Sequence, residues 1–131
     1  MIEVYIDAAS AGNPGPSGAG IYIKYNGQAD TYSIPLGSLT NHEAEFWALI
    51  KALEICHQHS SAIISVRSDS TLVVNALEKE FVRNPTYIPL LEKAVELSKT
   101  FELFFIKWIP SKENRKADEL AKKAIRMNQV K

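Results

Sequence analysis

The chain has 131 residues, 46% of them apolar and 23% charged, and its 15 basic and 15 acidic side chains give a formal net charge of zero. That length suits one domain over residues 1–131, and the neutral balance counts against a strong nonspecific nucleic-acid binder, which carries a basic excess. No apolar run approaches a membrane span, the lone Cys56 excludes an internal disulfide, and a strand pattern from residue 2 replaces the n-region and h-region of a leader, so a cytoplasmic location is expected.

Residues 2–7 read as a strand that ends at Asp7, followed by a dense turn signal over residues 13–18. Residues 21–25 and about 29–36 read as strands around Asn26-Gly27, a dipeptide that favours a tight hairpin, so the first three strands form an antiparallel meander. Thr40 or Asn41 can cap a helix running to about His57, with Glu45, Ala48, Leu49, Ala52, Leu53 and Cys56 as its inner stripe. Residues 62–67 read as a short buried strand ending next to Asp69, and about 70–79 as a helix. A loop over 81–89, with Asn84-Pro85 and Pro89, leads to a helix ending near Lys99. Residues 101–109 read as a fifth strand. A loop over 110–113 precedes a final helix from about Asn114, with Leu120, Ala121, Ala124 and Ile125 inward. No repeat or linker interrupts this order. An α/β fold with a mixed five-stranded sheet follows.

Four acids draw attention against this frame. Asp7 and Asp69 end strands, whereas Glu45 and Asp118 lie near the beginnings of two amphipathic helices, on their apolar sides. Taken singly, Asp7 reads equally as a turn initiator and Asp69 as a helix cap. Glu45 is harder to explain that way, because Leu49, Ala52 and Cys56 follow it at helical spacing on the buried side. Asp118 shares a stripe with Ala121 and Ile125. Glu43, aligned with Trp47, Ile50 and Glu54, takes a surface role. Inward carboxylates repel one another and lose hydration, a cost that divalent cations offset. An all-oxygen set suits Mg²⁺ or Mn²⁺ and the chemistry of phosphate esters.

The motifs Tyr5-Ile6-Asp7, Gly12-Asn13-Pro14-Gly15-Pro16, Thr40-Asn41 before Ala44-Glu45-Phe46, Ser68-Asp69-Ser70 and Asn114 to Ala121 occur in this order along nearly the whole chain. In these segments the chain resembles the type 1 ribonuclease H family. The resemblance implies a ribonuclease H-like sheet, with strands 1–3 antiparallel and strands 4 and 5 parallel, flanked by helices. It implies that Asp7, Glu45, Asp69 and Asp118 are both catalytic and metal-binding, holding two Mg²⁺ (or Mn²⁺) ions. It further implies a metal-dependent endonuclease, acting as a monomer away from membranes, that hydrolyses the RNA strand of RNA–DNA hybrids. Substrate contacts are expected at Asn13, Asn41, Thr71 and Asn114.

The chain departs from the family's pattern at five places. Ala8 stands where Gly is usual, His42 replaces the second Asn of Thr-Asn-Asn, and Thr71 replaces a frequent Gln. The loop over 109–113 has no His, and no basic protrusion lies between Leu77 and Pro89. The set of acids is intact while the substrate contacts are thinned. The alternative reading is therefore a catalytically weak or inactive ribonuclease H-like module that binds nucleic acid. His57 and His59 read as helix-terminal residues, Trp47 and Trp108 chiefly as packing residues, and Lys122-Lys123 as a solvated helix face.

Overall fold

The computed structural model describes residues 1–59 and 62–129, with side chains as far as Met127. The elements are β1 (Ile2–Ser10), β2 (Gly15–Tyr25), β3 (Gln28–Leu39), α1 (Asn41–Cys56), β4 (Ile63–Ser68), α2 (Thr71–Lys79), α3 (Ile88–Ser98), β5 (Leu103–Trp108) and α4 (Arg115–Gln129). They build a five-stranded sheet in the order β3-β2-β1-β4-β5. β1 to β3 pair antiparallel, while β4 runs parallel to both β1 and β5. This is the ribonuclease H-like topology.

Strand alternation decides which side of the sheet becomes core. Ile2, Val4 and Ile6 of β1, Ile21 and Ile23 of β2, and Ile64 and Val66 of β4 are buried in one cluster with Phe46, Leu49, Ile50 and Leu53 of α1. The other side receives α4, which closes on β2 at two glycines. A Cβ at Gly20 would overlap the Ala117 carbonyl and the Ala121 amide, and one at Gly18 would meet Ala124 and the Ala121 carbonyl. Ser33 of β3 adds a clamp, its hydroxyl donating to the Leu120 carbonyl at 2.7 Å.

The structure corrects the strand limits. β2 begins at Gly15 rather than residue 21, and β1 runs on to Ser10, which pairs with Ser17. Asp7 is therefore inside its strand, opposite Gly20. Directly opposed residues project to the same side. The Asp7 side chain thus points to the face on which α4 packs.

In α1, Thr40 rather than Asn41 is the cap. Its side chain accepts from the Glu43 amide, and the Glu43 carboxylate accepts from the Thr40 amide at 2.9 Å, a reciprocal capping box. Glu43 therefore holds the start of the helix instead of serving a plain surface role. Ile50, expected nearer solvent with it, is fully buried. Past the helix, His57 lies 3.3 Å from the Thr100 hydroxyl and His59 packs on the Tyr25 ring. Cys56 is buried, and burial pushes its thiol up to about 11, which leaves it un-ionised near neutral pH. Among the described residues no helix is long and apolar enough to cross a membrane.

Candidate active site

Asp7, Glu45, Asp69 and Asp118 line one cleft of about 480 Å³, together with Ala8, Ala9, Ser10, Asn41, His42 and Ser111. Each acid is delivered by a different part of the fold. β1 carries Asp7 in mid-strand. The chain leaving parallel neighbour β4 carries Asp69, the second turn of α1 brings Glu45 and the first turn of α4 brings Asp118. A larger apolar groove lies between α2 and α3, over Phe81, Val82, Ile88 and Leu91. It holds none of the four acids.

The segment around Asp69 is braced from several sides. The Ser70 amide donates to the Ser68 hydroxyl at 3.0 Å, and Ser70, not Asp69, caps α2. The Trp108 indole N–H donates to the Asp69 carbonyl at 3.2 Å, so this half-exposed ring steadies the backbone of an acid in the cleft. Freed from capping, the Asp69 carboxylate is left for the cleft.

Electrostatics single out Asp7. Burial, then the nearby Asp69 charge, and less strongly Asp118, raise its carboxyl from the ordinary 3.8 to about 8, although the Ala8 amide donates to it at 2.9 Å and opposes the rise. Two of the other acids have partners of their own. The Glu45 carboxylate accepts from His42 Nδ1 at 2.7 Å, and Asp118 lies 3.0 Å from the Lys122 ammonium, one helical turn on. The Asp118 hydrogen bond and charge raise the Lys122 pKa in turn. Among the described residues no three acidic, histidine or cysteine side chains are already drawn together into a metal cage. The four acids face one cleft without closing on one point. The donor set, four carboxylates with one partly buried beside two others, fits a hard divalent cation.

His42 and Lys122 are site residues that the sequence reading missed. Their signals are the i,i+3 spacing to Glu45 and the i,i+4 spacing to Asp118.

The expected substrate contacts divide. The Asn13 side-chain oxygen accepts from the Asn41 amide at 2.9 Å, so the loop after β1 and the start of α1 are tied together at the rim. Thr71 is exposed at the first position of α2, outside the residues lining the cleft. Asn114 is a correction: it is only 2% exposed, and its Nδ2 donates to the Ile6 carbonyl at 2.8 Å. Its amide pins the start of α4 to β1, next to Asp7 and four residues before Asp118, and is unavailable to a substrate. Asn114→Ala should cost about 1–3 kcal/mol by leaving a buried carbonyl unpaired, measurable as a lower urea midpoint with unchanged slope.

Comparisons with known proteins agree with this geometry. A family described as reverse transcriptase-like matches residues 6–124. Ribonuclease H of Escherichia coli O9:H4 strain HS is 31% identical over 139 residues, covering 95% of this chain and 88% of that protein. The chain belongs to the ribonuclease H family. EbsB of Enterococcus faecalis V583 is 40% identical over 127 residues, or 95% of this chain and 94% of EbsB. RNase H1 of Halobacterium salinarum NRC-1 superposes with a TM-score of 0.88 at 32% identity, covering 96% of this chain and 98% of that one. LC11-RNase H1, solved in complex with an RNA/DNA hybrid, gives 0.90 at 30% identity, with 99% and 100% covered. This ribonuclease H family member is thus a hydrolase of the type 1 kind, and its departures fall around the acids rather than among them. His42 is bonded to Glu45, and Ser111 lines the cleft from the short loop that lacks a histidine.

Proposed function

We propose that this chain is an endonuclease that cuts the RNA strand of RNA–DNA hybrids, with divalent cations held by Asp7, Glu45, Asp69 and Asp118. The observation that carries the reading is the convergence of these acids on one cleft with Asp7 raised to about 8. A partly buried carboxyl under that repulsion keeps a proton while the cleft holds no cation, and a divalent cation takes the proton's place when it binds. Two Mg²⁺ or Mn²⁺ ions in the cleft supply the charge neutralisation and water activation that phosphate-ester hydrolysis needs.

The chain's own residues do the rest. Asp7, on the central strand, faces the other ligands from the floor, and Glu45, Asp69 and Asp118 complete the shell from three sides. The braced backbone at Asp69 and the Asn114 anchor keep these ligands in place, so little reorganisation is left for the reaction. Asn13 and Asn41, joined by their hydrogen bond, present a paired rim to the minor groove of a hybrid. Recognition there rests on the 2′-hydroxyl, with weak sequence preference and products bearing a 5′ phosphate and a 3′ hydroxyl. All four acids come from one chain, which suits action as a monomer.

Cleavage assays test the reading. Purified protein with Mg²⁺ or Mn²⁺ should cut a hybrid labelled on its RNA strand, leave the DNA strand and an all-DNA duplex intact, and lose activity in EDTA. Asp69→Asn should fail to cut under the same conditions. Tight hybrid binding without cleavage by the unmodified chain would assign it instead as a binding module.

A further inference from the structure

The hydrogen bond between His42 and Glu45 has a support behind it. The His42 ring meets Tyr87 edge to face, with centroids 6.1 Å apart and planes at 79°. Tyr87 in turn stacks on Phe46, at 5.6 Å and 29°, and Phe46 is fully buried in the core. Tyr87 closes the short turn Pro85–Tyr87, in which Asn84 accepts from the Thr86 amide at 2.9 Å. A continuous contact path therefore runs from the core through Phe46, Tyr87 and His42 to a carboxylate of the cleft.

We propose that His42 is a positioning residue that fixes the Glu45 carboxylate for its cation, with Tyr87 holding the imidazole in register. The inference rests on the reading of Glu45 as a cation ligand. Glu reaches the cleft on a longer side chain than the three Asp ligands, with one more rotatable bond to order. Donation from Nδ1 to Oε1 fixes the carboxylate and leaves Oε2 outside that bond. Hydrogen bonds of this kind orient ligating carboxylates in general. The second Asn of the Thr-Asn-Asn pattern is thus replaced by a side chain with a different task. It gives up an amide at the groove and gains a brace on the cation shell. Tyr87, from the segment between α2 and α3, lies against His42 and Phe46 of α1.

Two measurements test this. In ¹⁵N-histidine protein at pH 8.5 without divalent cations, long-range ¹H–¹⁵N correlation should find His42 as the Nδ1–H tautomer. Tyr87→Leu should move it toward the Nε2–H form. Calorimetric titration with Mn²⁺ alone should show His42→Ala binding about 10-fold more weakly than the unmodified chain, with Tyr87→Leu losing less. Both variants should melt within a few degrees of the unmodified protein. An Nε2–H tautomer at His42, or an equal or higher Mn²⁺ affinity in His42→Ala, would overturn the proposal; the latter would make His42 a competitor for Glu45. Should the unmodified chain take up no Mn²⁺ at all, the nuclease reading fails, and the tautomer spectrum alone decides whether His42 holds Glu45.

Discussion

Asp7→Asn is expected to lower cleavage of an RNA–DNA hybrid by about 10³-fold or more while making the cation-stripped protein more stable. The two effects share one cause. The carboxylate that the chemistry needs is, without a cation, a partly buried charge near Asp69 and Asp118. Folding raises the Asp7 pKa from the ordinary 3.8 to about 8, so between these values the native state holds a proton that the unfolded chain has released. The stability linked to that proton is fully present below about pH 4, falls as the pH rises, and is lost once it passes about 8. The carboxamide of the variant has no such proton to lose. Its advantage over the unmodified chain should therefore grow from pH 4 to pH 8 and reach about 2 kcal/mol or more. Urea unfolding in EDTA at several pH values reads this directly. Adding Mg²⁺ should reverse the order, raising the melting temperature of the unmodified chain and leaving the variant unchanged. A variant that is both inactive and less stable in EDTA at pH 8 would show that Asp7 is a structural residue.

Gly20→Ala is expected to be the most damaging single methyl in the molecule. The added Cβ would press into the Ala117 carbonyl and the Ala121 amide, backbone atoms of α4 that have no rotamer by which to yield. Relief requires moving the helix off β2. We expect a loss of about 3 kcal/mol or more, seen as a lowered urea midpoint. Gly27→Ala is the natural control. Gly27 has a positive φ, of 75°, but nothing lies within 4 Å of its added Cβ, so only turn strain of about 1 kcal/mol is expected. The two variants differ in function as well. Gly20 lies opposite Asp7, and α4 carries Asp118, so displacing the helix separates two ligands of the same cleft. Gly20→Ala should bind Mn²⁺ more weakly in calorimetry, whereas Gly27→Ala should bind as the unmodified chain does. Close packing of α4 on a side-chain-free stretch of β2 is what sets the distance between the two acids.

Those glycines also explain where the sequence misled. Pro14, Gly15, Pro16 and Gly18 carry every local sign of a turn, yet β2 starts at Gly15. At Gly18 tertiary packing overrides the local preference, because a side chain there would run into α4. Strand alternation and helical spacing were enough to find the sheet, the four helices and the inward acids, since burial writes those patterns directly into the chain. Partnerships across the fold leave no such periodic trace. Nothing local says that Asn114 reaches the Ile6 carbonyl, or that Ile50 is fully buried. Other features were local and readable but passed over. Thr40 and Glu43 have the spacing of a capping box, and His42 and Lys122 stand one turn from Glu45 and Asp118.

The central claim is that the four carboxylates form one cation site that serves hydrolysis of a phosphate ester. Anomalous diffraction from crystals grown with Mn²⁺ and an RNA–DNA hybrid tests it most directly, using Asp69→Asn to prevent turnover. The expected map has strong peaks in the cleft within coordination distance of Asp7, Glu45 or Asp118, against a phosphate of the RNA strand. Hybrid bound elsewhere on the molecule, or a cleft with no Mn²⁺ signal while the hybrid is in place, would contradict the account.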